Sequence, residues 1–329
     1  MSSCCVICWP KGTEKGEAED VGVFVFLPLV LPLTAWPIAR LAEQHLHPRA
    51  ATWLLSAVAG MLAVCSTLCL ALLMVVGTAQ LPGNPLPDGW SDREVREAVP
   101  HDEVVGKIAI PALIVVLAAC TGTVWRHHRV RRRAERALAG LTATSVAVLP
   151  DVLPYAYALP GRRNRIVVTT GMLAGLRPAE RRALFAHERV HLARRHHRFL
   201  ITVQLAARAN PFLRPLRTAV AYSAERWADE EAAAAVGSRR TVALAIGKSA
   251  LVSQGSPIAT LAHFAAPGPV PRRVAALLAP APATPIWPPV FTTVGLAAWT
   301  AAAGTTVSAL SSANSAVTLL LILHAATPI

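Results

Sequence analysis

The chain has 329 residues, 53% of them hydrophobic and only 16% charged, which is too apolar for an ordinary soluble domain, so part of its solvent is lipid. A formal net charge of +13 would suggest nucleic acid in a soluble protein. In a membrane protein it first marks cytoplasmic loops, and neither aromatic interleaving nor a recognition motif accompanies the basic clusters, so no direct nucleic-acid contact is expected.

Residues 1–20 are polar and unassigned. Cys4, Cys5 and Cys8 near this end lack the second pair or the histidine that would complete a tetrahedral site, and Cys65, Cys69 and Cys120 sit in apolar runs, so no disulfide framework follows. Residues 21–39 carry no charge and read as a first span, kinked by Pro28, Pro32 and Pro37. A link with Arg40, His45, His47 and Arg49 leads to a second span at 53–79. The loop 81–103 is rich in Asp and Glu, the composition of a non-cytoplasmic segment, and a third span follows at 104–125, with Lys107 snorkelling at its outer end. Directly after it come Arg126, Arg129, Arg131, Arg132, Arg133 and Arg136, which fix that side as cytoplasmic and the N-terminus as outside.

From 126 to 278 the apolar runs are too short to span, so this stretch reads as a folded cytoplasmic domain. It opens with strands at 144–149, 154–159 and 165–170, the last two joined as a hairpin by Pro160-Gly161 and Asn164. A helix beginning at Pro178, with Glu180 in its first turn, is expected to reach about His197. Further helices are expected from Phe199 to before Asn210-Pro211, from Leu216 to Ala235, and after Thr241, and Pro271 to Val274 begins a short apolar turn. Residues 279–329 form a proline-rich linker and a last apolar stretch, which crosses once to about Leu310 or twice in two short spans. The expected architecture is a mainly α membrane protein with an α+β cytoplasmic domain.

The densest chemistry lies at His187-Glu188-Arg189-Val190-His191. On a helix this His-Glu-x-x-His spacing sets two imidazoles on one face with a carboxylate beside the first, which is half of a zinc site. A catalytic zinc takes three protein ligands and keeps a fourth position for water. Two residues compete for the third place. His197 stands where a metzincin has its third histidine, but that pattern needs glycine at the position of Arg194. Glu225 lies on a later helix, with Asp229 four residues on and facing the same way, so one can bind metal while the other accepts the second ring N–H of a liganding histidine.

The two motifs in this order, the preceding Val167-Val168-Thr169-Thr170-Gly171 and the flanking spans resemble the gluzincin membrane peptidases of the HtpX and BlaR/MecR type, from the first span to about residue 278. The resemblance implies a zincin-like domain, one zinc ion per chain on His187, His191 and Glu225, Glu188 as general base, and Asp229 orienting His187. His196 matches a histidine that often follows the motif in HtpX-like proteins; on the residues alone, His196 and His197 read as helix-end cations. No penicillin-binding sensor domain follows the last span, so the layout is closest to sensor-less BlaR/MecR-like members, and that resemblance implies a cytoplasmic repressor as partner.

For the oxyanion donor His263, Arg273 and Tyr222 are the candidates, and the hairpin edge is expected to hold an extended substrate. The expected function is a multi-pass, membrane-embedded zinc endopeptidase acting on protein or peptide substrates at the cytoplasmic side of the bilayer. The alternative is a non-catalytic zinc-binding membrane signal transducer, in which His196 or His197 would close the fourth position.

Overall fold

The computed structural model describes residues 28–79, 102–140, 144–161, 164–253, 269–282, 287, 289 and 291–325. Cys4, Cys5, Cys8, His263 and most of the acidic loop at 81–103 lie outside the described residues. Among those described, the chain is mainly helical with one small sheet.

A 3-10 turn at Leu31–Thr34 leads into α1 (Ala35–His45), and α2 (Pro48–Ala79) follows directly. Here the first expected span is corrected. Pro32 sits in the 3-10 turn and Pro37 in the first turn of α1, where a missing N–H costs no helical bond. What remains is an 11-residue helix, about 16 Å long and half of what a bilayer requires. Its Ala35, Ala39 and Ala42 are buried in the protein.

Among the described residues two helices are long and apolar enough to cross a membrane, α2 over Pro48–Val75 and α3 (Asp102–Ala137) over Gly106–Ala137. They meet at Gly77 and Gly106, where a Cβ on either would overlap the other's backbone, so only glycine permits this approach. The arginine cluster lies on the unbroken continuation of α3 rather than in a loop, with Arg129 over the ring of Trp125 at 4.9 Å.

Strands β1 (Val146–Leu149), β2 (Ala156–Leu159) and β3 (Arg165–Thr169) form a sheet in the order β1-β3-β2. The expected hairpin is present, β2 pairing antiparallel with β3, while β1 runs parallel to β3. Thr169 ends β3 and caps α4 (Thr170–Ala174) by accepting the Met172 N–H at 3.2 Å. The remaining helices are α5 (Pro178–Ala193), α6 (His196–Ala209), α7 (Arg214–Val236), α8 (Arg239–Val252), α9 (Val270–Leu278) and α10 (Thr293–Ala325).

Two of these differ from expectation. The helix expected to run to His197 stops at Ala193, because Arg195 adopts the left-handed conformation at φ 55 and restarts the chain as α6. The C-terminal stretch over Thr293–Ala325 is one continuous helix, α10, not two short spans, and among the described residues it is not one of the two spanning candidates. Thr305 and Thr306 return their hydroxyls to the carbonyl of Ala302 at 2.7 and 2.9 Å.

Two cores position the site. Val203 and Ala206 of α6 and Leu216, Ala219 and Val220 of α7 pack with Leu55, Val58, Ala59 and Leu62 of α2, which seats the α6–α7 pair against a membrane-type helix. In the second core Ala183 and Ala186 of α5 meet Ala232 and Ala233 of α7. Small side chains at this crossing let the two helices approach closely, so short polar side chains can converge.

Candidate metal centre

α5 begins at Pro178, and the Glu180 carboxylate accepts the Arg177 N–H at 2.8 Å, closing one orphan donor of the first turn. Lys248 Nζ of α8 reaches both oxygens of Glu180, at 2.7 and 2.9 Å, and ties the two helices together. Two turns further on, His187 and His191 share one face, with ring centroids 4.7 Å apart.

Their Nε2 atoms face each other at 3.0 Å. Glu225 of α7 approaches from the other side, Oε2 at 3.4 Å from His187 Nε2 and Oε1 at 3.4 Å from His191 Nε2. Among the described residues these three form a converging group of metal-type donors. A tetrahedral zinc with ligands at about 2.0–2.1 Å holds its donor atoms about 3.3 Å apart, and each imidazole nitrogen has one Glu225 oxygen at 3.4 Å, a spacing that suits that ion. The donor chemistry fits too, because two imidazole lone pairs aimed at each other with a carboxylate beside them repel unless a cation or a proton sits between them.

The two histidines are backed differently. His187 Nδ1 lies 3.1 Å from Asp229 Oδ1, off the line of a formed hydrogen bond. His191 Nδ1 lies 3.0 Å from Nδ1 of His196, which is fully buried and packs its ring on Trp227 with centroids 4.7 Å apart. The left-handed Arg195 swings His196 back under His191. His196 is therefore not a helix-end cation: burial and the neighbouring His191 push it down to about 2, so it is neutral. It also stands behind His191, on the nitrogen opposite the metal face, and does not close a fourth position. His197 turns elsewhere, into the field of Arg131 and His127 on α3.

Burial lowers both liganding histidines, but contact with Asp229 and Glu225 carries His187 up to about 10, while His191 falls to about 4. Burial alone would raise the Glu225 carboxyl, yet Arg273 and then the histidines hold it well below the usual carboxylate range. Glu188 is raised, first by burial and then by Glu225, against the pull of His187, the Ala158 N–H and Arg273.

That N–H comes from β2. Thr169 donates its N–H to the Tyr155 carbonyl at 3.1 Å, and the alternation of an antiparallel ladder then turns the backbone groups of Ala156 and Ala158 away from β3. β2 is an edge strand, so its free side faces Glu188.

Of the three oxyanion candidates, His263 lies outside the described residues. Tyr222 carries Arg272 over its ring at 4.3 Å and lines a cleft with His47, Ser223 and Arg226 that includes none of the metal-site residues. Arg273, only 6% exposed, directs Nε and Nη2 to Asp229 at 2.9 and 2.6 Å and Nη1 to Glu225 Oε2 at 2.9 Å. All three of its nitrogens are engaged with carboxylates. Sequence reasoning missed this contact and that of His196; a histidine directly after the motif helix was the available signal for the second.

The fold and site define a zinc metallopeptidase of the gluzincin kind, two histidines from one helix and a glutamate from a later one. The model of peptidase family M48 matches residues 122–209; over that stretch the chain is similar to the family, and the metal-binding group of His187, His191 and Glu225 makes it a zinc metallopeptidase. No curated protein and no solved structure matches it. The matched region ends before Glu225, so tertiary packing supplies the third ligand.

Proposed function

We propose that the protein is a membrane-anchored endopeptidase that binds one zinc ion per chain and cuts protein substrates at the cytoplasmic face of the bilayer. The convergence of Glu225 on the facing imidazoles of His187 and His191 carries this reading. The placement rests on α2 and α3, whose arginine-bearing end lies beside the metal domain: Arg49 stands over Trp227 at 5.6 Å, and His197 feels Arg131.

A bound zinc supplies a Lewis acid that polarises the scissile carbonyl and lowers the pKa of its water towards about 7. Glu188, raised by burial, accepts the proton of the attacking water and delivers it to the leaving amine. Asp229 holds His187 with Nε2 towards the ion, and His196 does the same for His191 by accepting its Nδ1–H. The free side of β2 takes an extended substrate by strand pairing next to Glu188, a mode in which backbone hydrogen bonds give affinity with weak side-chain selectivity.

Replacing Glu188 with Gln is expected to lower peptide cleavage by about 10²–10⁴-fold while zinc stays near one per chain; cleavage at the wild-type rate would remove Glu188 from its role. His187→Ala should lose the metal. A chelator should stop cleavage, and added zinc should restore it.

A further inference from the structure

Resting on the zinc reading above, we propose that Arg272 and Arg273 of α9 form a two-sided clasp. Arg273 is a positioning residue that sets Glu225 and Asp229 against the histidine pair, and Arg272 makes that setting depend on α1.

Neighbouring residues on a helix point about 100° apart, and the two arginines use this divergence. Arg273 points inward, its planar fork spanning both oxygens of Asp229 and taking one oxygen of Glu225. Arg272 points to α1, where Nη1 meets Glu43 Oε2 at 2.8 Å and the guanidinium covers Tyr222. α9 is only nine residues long. Beyond the clasp it is held by Leu277 and Val274 in the α5–α7–α8 core and by Arg239, which donates to the carbonyls of Ala276 and Ala279.

Charge and geometry both need an arginine at 273. Glu188, Glu225 and Asp229 are three buried carboxylates that all act on Arg273, and Arg273 contributes the positive charge that, with a divalent ion, makes the sum neutral. A lysine would replace the charge but not the fork, because one ammonium cannot span Asp229 and reach Glu225 together. With Oε2 of Glu225 held by Arg273 at 2.9 Å, Oε1 is the oxygen left to the metal. Arg273 thus keeps Glu225 a one-oxygen ligand, and without the fork both oxygens are free to turn to the ion.

The test uses the full-length protein in detergent, with zinc affinity from chelator competition and the visible spectrum of the cobalt(II)-substituted form. Arg273→Lys is expected to weaken zinc binding about 10–100-fold and to weaken the cobalt bands, as a second Glu225 oxygen raises the coordination number. Wild-type affinity with an unchanged spectrum in Arg273→Lys overturns the proposal. If that variant fails to fold, the outer half decides: Arg272→Gln and Glu43→Gln should each lower zinc affinity several-fold in a folded protein, and wild-type affinity in both overturns the clasp. Should the wild-type protein itself bind no zinc, the zinc reading fails instead, which the same titration distinguishes.

Discussion

The two halves of the metal centre are built from the same residue on the same helix yet have opposite surroundings. His187 is backed by Asp229, an anion gripped by Arg273. His191 is backed by His196, a neutral ring packed on Trp227. An anion behind an imidazole strengthens its donation, whereas a neutral acceptor only fixes its tautomer. Their proton affinities also differ: against burial, Asp229 and Glu225 carry His187 up to about 10, while burial takes His191 down to about 4. Identical ligands in the sequence are therefore unequal ligands in the fold.

The largest expected effect comes from removing the anionic backing. Asp229→Ala leaves Arg273 buried with Glu225 as its remaining partner, so unfolding in denaturant should show a loss of about 3 kcal/mol or more, and zinc affinity should fall by up to about 100-fold. His196→Ala should cost less, about tenfold in zinc affinity, and His196→Asn, which keeps an acceptor for the His191 ring, should recover part of it. Equal losses in Asp229→Ala and His196→Ala would erase the asymmetry between the two histidines.

A smaller effect is expected behind the neutral half. Trp227 donates its Nε1–H to Glu231 at 2.6 Å, and Glu231 also receives Arg194 at 2.9 Å. Trp227→Phe keeps the ring over His196 and deletes that bond, so thermal unfolding should report a loss of about 1 kcal/mol with zinc affinity nearly intact.

The smallest effect lies at the far end of α5. Burial alone would raise the Glu180 carboxyl, but Lys248 and the Arg177 N–H hold it below its ordinary value. A depressed carboxylate contributes stability that is present above its unfolded pKa and lost as pH falls through its folded value. Thermal unfolding should thus weaken below the ordinary value of 4.5, and Glu180→Gln should lower Tm by a few degrees at neutral pH and flatten that acid limb.

Much of the site was legible because its spacing is helical. His187 and His191, like Glu225 and Asp229, stand four apart, and that separation alone puts each pair on one face. The hairpin was legible from its turn residues. The contacts from His196, Arg273 and Ala158 were not, because each depends on a local conformation or a long-range approach that no residue pattern encodes. A left-handed Arg195 redirects His196, a nine-residue helix brings Arg273 across 44 positions to Asp229, and the ladder alternation of β2 aims one N–H at Glu188. The first expected span failed for a related reason. Its uncharged composition suited a bilayer, but prolines divided it, and the short α1 that resulted buried its alanines against protein.

By itself the sequence determined the ligand types, their pairing on helices, and a lipid-seeking composition with its charge on one side, since these are properties of residues and of local periodicity. Only the tertiary structure decided that Glu225 rather than His197 completes the metal site, that His196 stands behind His191, and that Arg273 serves carboxylates rather than an oxyanion. Those outcomes depend on how closely α5, α7 and α9 pack, and that distance is set by alanines at the α5–α7 crossing, far along the chain from the residues they bring together.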